Sequence, residues 1–197
     1  MNPHSTALTQ TLRTKDEVKR RAFGRGPEVS LFTLGTMRAL DSEEQMHAVV
    51  KAALSSGINH IETAHGYIKS ENLFGFALKE LGVPRKKFKL MTKGAPMSGN
   101  EARKLVEEQL EALKLDYIDF YGWHGINNKE LLKVAVEKNG PVETLHKLKE
   151  EGLIRHIGFS THGPLKTILE AMQTNLFSFV NLHYYYFFHT VSIRKSM

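Results

Sequence analysis

Short apolar, β-branched runs alternate with helical patterns along this chain, and successive runs start at intervals close to the ~30 residues of one strand-helix-strand unit. That alternation is the signature of a parallel sheet wrapped by helices. Strands are expected near Val29–Thr36, Ile58–Thr63, Phe88–Lys93, Tyr117–His124, Ile154–Ser160 and Ser178–His183. Between them, Ser42 and Gln45 form a capping box ahead of the apolar stripe Met46, Val49, Val50, Ala53 and Leu54, which Gly57 ends. Ser70 precedes a second stripe closed by Gly82 and Pro84, and Asn100 is expected to cap a third helix. Pro141 and Pro164 stand where the fourth and fifth helices should start, a first-turn position that needs no N–H. An extra helix is expected over Lys129–Lys138.

Six strands fall short of closing an eight-stranded barrel of about 250 residues. A doubly wound sheet would tolerate six, but Gly35-Thr36-Met37 after the first strand lacks that class's glycine-rich phosphate fingerprint. The expected architecture is therefore α/β, a (β/α)8 barrel of about six of its eight units, with the last two absent. Residues 1–28 are expected to form a polar N-terminal segment or barrel cap, 29–188 the partial barrel and 189–197 an unstructured tail.

Composition narrows the function. A 41% hydrophobic, 24% charged chain suits a soluble globular domain. It has no apolar run of about 20 residues and no signal-peptide core, which points to the cytoplasm. Without cysteine it has no disulfide, thiol nucleophile or cysteine-ligated metal. The net charge of +6 is spread along the chain, and its densest patch, Lys15 to Arg25, includes Asp16 and Glu17, so it is expected to be a solvated tail or cap rather than a nucleic-acid arm. His60, His65, His156, His162, His183 and His189 have neither the i,i+4 spacing nor the carboxylate pattern of a zinc site, and structural roles are expected. The aromatic run 184–188 is expected to end the sixth strand.

Catalytic groups of such barrels project from the C-terminal ends of the strands into one mouth. Here those ends bring Glu62 and Tyr67, Lys93 and His124. These are the types that carbonyl reduction needs, because hydride arriving at carbon leaves an oxyanion that must be protonated as it forms. Tyr67 can supply the proton, Lys93 favours its phenolate, Glu62 can pair with Lys93, and His124 can orient the carbonyl. Each residue alone has a plainer reading: a packed tyrosine, a solvated strand end, a satisfied histidine beside Trp123, a carboxylate facing solvent.

The ordered segments IETAHGY, SENLFGFALKE, MTK, YIDFYGWH and IRHIGFST resemble the aldo-keto reductase superfamily from Val29 to about Tyr186. The resemblance implies a TIM-type barrel that binds NADPH without a glycine-rich motif and reduces an aldehyde or ketone to an alcohol. It places the catalytic positions at Glu62, Tyr67, Lys93 and His124, and cofactor contacts at Gly35, Thr36, Met37 and Ser160, with no metal. The chain departs from the pattern in having Glu62 for Asp, Thr161 for Asn and Leu182 for Gln. Asn181, beside Leu182, is expected to face the other way because strand side chains alternate. The loops after strands seven and eight, which hold the cofactor phosphates in the family, are expected to be missing along with those units, and weak NADPH binding and oligomerisation through open barrel edges are expected with them. A small carbonyl compound is the expected partner, with no nucleic acid and no membrane. The competing class is a catalytically inactive truncated product or a non-enzymatic binding subunit.

Overall fold

A computed structural model describes residues 18–183. Two short strands, β1 (Arg20–Ala22) and β2 (Glu28–Ser30), form an antiparallel hairpin. The rest of the strands are β3 (Thr33–Gly35), β4 (His60–Glu62), β5 (Lys89–Gly94), β6 (Ile118–His124), β7 (Ile154–Thr161) and β8 (Phe179–Leu182). They make one parallel sheet in the order β3-β4-β5-β6-β7-β8, curled into an incomplete (β/α)8 barrel. Helices α1 (Glu43–Ser55), α2 (Ser70–Leu81), α3 (Gly99–Leu113), α5 (Pro141–Glu150) and α6 (Leu165–Gln173) follow β3 to β7 as crossovers, with α4 (Lys129–Ala135) added in the loop after β6. No helix among the described residues is long and apolar enough to cross a membrane.

Strand alternation divides the side chains between two environments. Tyr121, Trp123, Ile157 and Phe159 point outward into helix-packed clusters with, among others, Val106, Leu145, Val142 and Ala171. Met91, Phe120 and Phe179 point inward and pack with Val29 and the hairpin's Phe23 at the N-terminal end of the strands. The Phe23 ring centre lies 4.9 Å from those of His60 and Phe120 and 5.1 Å from that of Phe179. Phe23 is thus the plug of the barrel floor. One step higher on β6 and β7 the inward positions are Gly122 and Gly158. A Cβ at Gly158 would sit 2.4 Å from the Phe179 carbonyl oxygen, and one at Gly122 would sit 3.1 Å from Lys93 Cγ. The missing side chains make room for the Phe179 ring and the Lys93 stem, so Lys93 can lie inside the barrel.

The fold departs from the expectations in four places. The run 29–36 is two strands: Val29 and Ser30 pair with the hairpin, and the barrel strand begins at Thr33. The basic 15–25 patch contributes β1, so the cap straddles the boundary expected at residue 28. The third helix is capped by Ser98, whose hydroxyl accepts from the Glu101 N–H while Glu101 accepts from the Met97 N–H; Asn100 lies inside the helix. Pro164 occupies the N-cap of α6, whereas Pro141 stands in the first turn of α5 as anticipated. The aromatic run 184–188, His189 and the tail 189–197 lie outside the described residues.

Candidate active site

The upper ends of β4, β5, β6, β7 and β8 surround the barrel mouth. Glu62 closes β4, Lys93 stands near the end of β5, His124 closes β6, and Tyr67 lies five residues past β4 in the loop leading to α2. Lys93 is only 2% exposed, which rejects the reading of a solvated strand end. Its ammonium donates to Glu62 Oε1 and, at 3.0 Å, to the Thr63 carbonyl oxygen. Burial of a lysine requires such pairing, because an unpaired ammonium in a dry interior is strongly disfavoured. The same Nζ lies 5.1 Å from the centre of the Tyr67 ring, and that ring meets His124 edge to face at 6.0 Å. The four expected catalytic side chains therefore converge.

Tyr67 is held by a local device. Its N–H donates to the Ala64 carbonyl and its own carbonyl accepts from Ser70, the first residue of α2. Ser70 Oγ is buried between Thr36 Oγ1 at 2.6 Å and Thr63 Oγ1 at 2.9 Å, which ties α2 to the ends of β3 and β4. Between Tyr67 and Ser70, Ile68 has a φ of 54° and is largely exposed. A β-branched residue in the left-handed region is strained, and such strain clusters at functional loops.

Electrostatics differ among the histidines. Burial, and then the Lys93 charge, hold the His124 imidazole below its ordinary pKa, with Glu62 opposing and His162 adding to the depression. It is thus neutral at pH 7 and retains an N–H to donate. His60, beneath it in the interior, is pushed down to about 4, chiefly by burial. The His162 and His183 rings meet at a tilt of 49° with centres 3.9 Å apart. Among the described residues no group of three or more histidine, aspartate or glutamate side chains could hold a metal ion.

The positions expected to contact a cofactor are less uniform. Ser160 is half-buried on the inward face of β7, its hydroxyl accepting from the Gly125 N–H at 3.1 Å. Gly35 and Met37 are exposed at the end of β3. Thr36 is fully buried, with its hydroxyl and its N–H both spent on the Glu62 carbonyl and Ser70. Thr161 turns away into the wall, donating to the Ile126 carbonyl at 2.6 Å. Asn181 and Leu182 take opposite faces, but in the reverse sense to the expectation: Leu182 is 40% exposed, and Asn181 turns inward, donating to Glu62 Oε2 at 3.1 Å.

A buried polar group behind β5 escaped the sequence reading. Glu71 Oε1 accepts from Thr92 Oγ1 and Gln109 Nε2, both at 2.6 Å, and burial raises its carboxyl pKa. Gln109 also reaches the Lys93 carbonyl at 3.3 Å. The signal was an acidic residue on the apolar-flanked start of α2, where a carboxylate must find donors.

Comparison with known proteins bears on the family and the fold. The profile of the Aldo/keto reductase family matches residues 32–192. L-galactose dehydrogenase of Arabidopsis thaliana is 34% identical over 146 residues, 70% of this chain and 43% of its own. Glycerol 2-dehydrogenase (NADP(+)) of Saccharomyces cerevisiae is 31% identical over 133 residues, covering 64% of this chain and 42% of its own. The solved holo form of aldo-keto reductase AKR11C1 from Bacillus halodurans aligns with a TM-score of 0.74 at 26% identity, over 85% of this chain and 58% of that one. The chain spans about half the length of these relatives.

Proposed function

Because the chain belongs to the aldo/keto reductase family, we propose that its mouth supports NADPH-dependent reduction of an aldehyde or ketone to an alcohol, with Tyr67 as the proton donor. The observation that carries this reading is Lys93: an almost fully buried ammonium, neutralised by Glu62 and aimed at the tyrosine ring. A structural ion pair has no need of a half-exposed phenol and a neutral imidazole beside it.

NADPH, when bound, supplies hydride to the carbonyl carbon. The protein's task is the oxygen. Tyr67 donates its phenolic proton to that oxygen as negative charge develops there, leaving the alcohol and a phenolate. Lys93, close to the ring and itself shielded from solvent, attracts the phenolate charge. Glu62 and the Thr63 carbonyl fix the ammonium, so its orientation needs no change during the transfer. His124, neutral because burial opposes its protonation, donates to the carbonyl oxygen and orients it. Solvent then returns a proton to Tyr67 through the open mouth.

The residues present fit a nicotinamide: the Ser160 hydroxyl on the inner wall suits a carboxamide, and the exposed Gly35 and Met37 leave the rim of β3 free for contact. The NADP(+) in the name of the yeast relative supports the phosphorylated cofactor. Trp123, buried next to His124 with its indole N–H on the Pro96 carbonyl, is a built-in reporter. Titration with NADPH should quench its fluorescence saturably in the micromolar range. An unchanged signal up to millimolar NADPH in a folded sample would count against the reading.

A further inference from the structure

Glu62 reaches two partners, and the second comes from across the barrel. Lys93 occupies Oε1, while Asn181 Nδ2 donates to Oε2 at 3.1 Å. In the sheet, β4 and β8 are separated by β5, β6 and β7, so this bond is a chord over the concave face. We propose that Asn181 is a positioning residue: it fixes the plane of the Glu62 carboxylate and, through it, the direction of the Lys93 ammonium. The proposal rests on the reductase reading of the mouth.

An ammonium has three N–H donors. Glu62 and the Thr63 carbonyl take two of those on Lys93, which leaves a third, with the Tyr67 ring centre 5.1 Å from Nζ. The direction of that third N–H depends on where Glu62 Oε1 sits. Glu62 is half-buried on a flexible stem, and a carboxylate gripped by one oxygen can still swing about its terminal torsion. A donor on the second oxygen removes that freedom. An amide does so without charge, leaving the Glu62–Lys93 pair balanced, where a lysine or arginine would compete with Lys93 for the carboxylate.

Register makes the contact specific. Phe179 is inward because it packs with Phe23 and Phe120 on the floor, and Asn181, two residues on, must share its face. Asn181 also pairs in register with Ser160, so the residue that orients the carboxylate lies beside the expected nicotinamide contact. Besides Lys93, the titratable groups around Glu62 are His60 on its own strand and His124 on β6, with Tyr67 beyond Lys93.

Two measurements on the full chain test the proposal. In 15N-labelled protein the Asn181 side-chain amide signal, identified by its loss in N181A, should shift as acid protonates Glu62 and should stop responding in E62Q. If it ignores both the titration and the E62Q substitution, the pair does not exist in solution and the proposal fails, whether or not the protein reduces carbonyls. In steady-state kinetics, N181A should lower kcat about tenfold, the scale of one hydrogen bond to a charged group, with KM for the aldehyde nearly unchanged. N181D, which sets a second carboxylate against Glu62 and removes the amide donor, should lower kcat at least as far as N181A. Glu62→Asp, too short to hold both partners, should have the same kcat with and without N181A. A kcat per folded molecule unchanged in N181A, alongside an active parent, would overturn the positioning role. If the parent shows no reductase activity while the amide signal follows Glu62, the reductase reading fails and the pairing stands.

Discussion

The two ends of one barrel interior are built on the same strands and the same face, two residues apart, yet they are chemical opposites. His60 lies below Glu62 on β4, Met91 below Lys93 on β5, and Phe179 below Asn181 on β8. The lower members form a floor around Phe23, where burial keeps a histidine neutral. The upper members carry a carboxylate, an ammonium and an amide that satisfy one another beneath Tyr67 and His124. What separates them is the hairpin, whose Phe23 closes one end and leaves the other open. On the proposed reading stability is concentrated in the floor and chemistry in the rim, and substitutions at the two levels should fail in different ways.

The largest effect should come from breaking the floor. Phe120→Ala removes a fully buried ring that contacts Phe23, His60 and Phe179, and should cost about 3–5 kcal/mol in chemical denaturation. The activity per folded molecule should remain within a few-fold. At the rim the pattern should invert: Lys93→Met should lower kcat by about 10²–10³, the scale of losing one preorganised electrostatic donor. A Lys93→Met protein that unfolds at low denaturant but keeps its rate when folded would erase the distinction between levels.

Acid should reveal the floor independently. The folded pKa of His60 lies at about 4, below the ordinary 6.5, so the unfolded chain takes up the proton first as pH falls. Stability should be intact above about pH 6.5 and decline between about 6.5 and 4, by roughly 3 kcal/mol for this one group. Denaturation midpoints measured across that window should slope for the parent and flatten for His60→Leu, leaving the smaller contributions of His124 and His156, whose pKa values burial also lowers. The smallest effect is at the Tyr67 loop. Ile68→Gly should relieve a left-handed β-branched residue and raise stability by about 1 kcal/mol. A destabilised variant would show that the exposed Ile68 side chain holds the loop by contacts of its own.

Local signals were legible in the sequence, and non-local ones set the limit. The Ser42-Gln45 capping box formed as expected, with the Gln45 N–H on the Ser42 hydroxyl, because a cap is decided within one turn. The same logic identifies Ser98 with Glu101, a second capping box masked by the good capping residue Asn100 two positions later. The convergence of Glu62, Tyr67, Lys93 and His124 was legible because strand ends in a parallel barrel share one mouth. The run 29–36 reads as one strand because its continuity hides a switch of partners, from β1 to β4, that only distant segments decide. Asn181 was assigned to the wrong face for a related reason. Alternation fixes only that neighbours oppose each other; which of the two faces inward is set by Phe179 packing on a hairpin some 150 residues earlier, and a one-residue error reverses every side chain.

The central claim is that the rim is a working proton-transfer site with Tyr67 as its acid. The most direct test is the rate of NADPH oxidation with a small aldehyde, for the full chain and its Tyr67→Phe variant, with Trp123 fluorescence confirming that both bind the cofactor. Removal of one hydroxyl from a side chain whose ring stays in place should reduce the rate by about 10²–10⁴, the range expected for a general acid. Equal rates in the two proteins would contradict the account, and the proton would have to come from another group at the mouth.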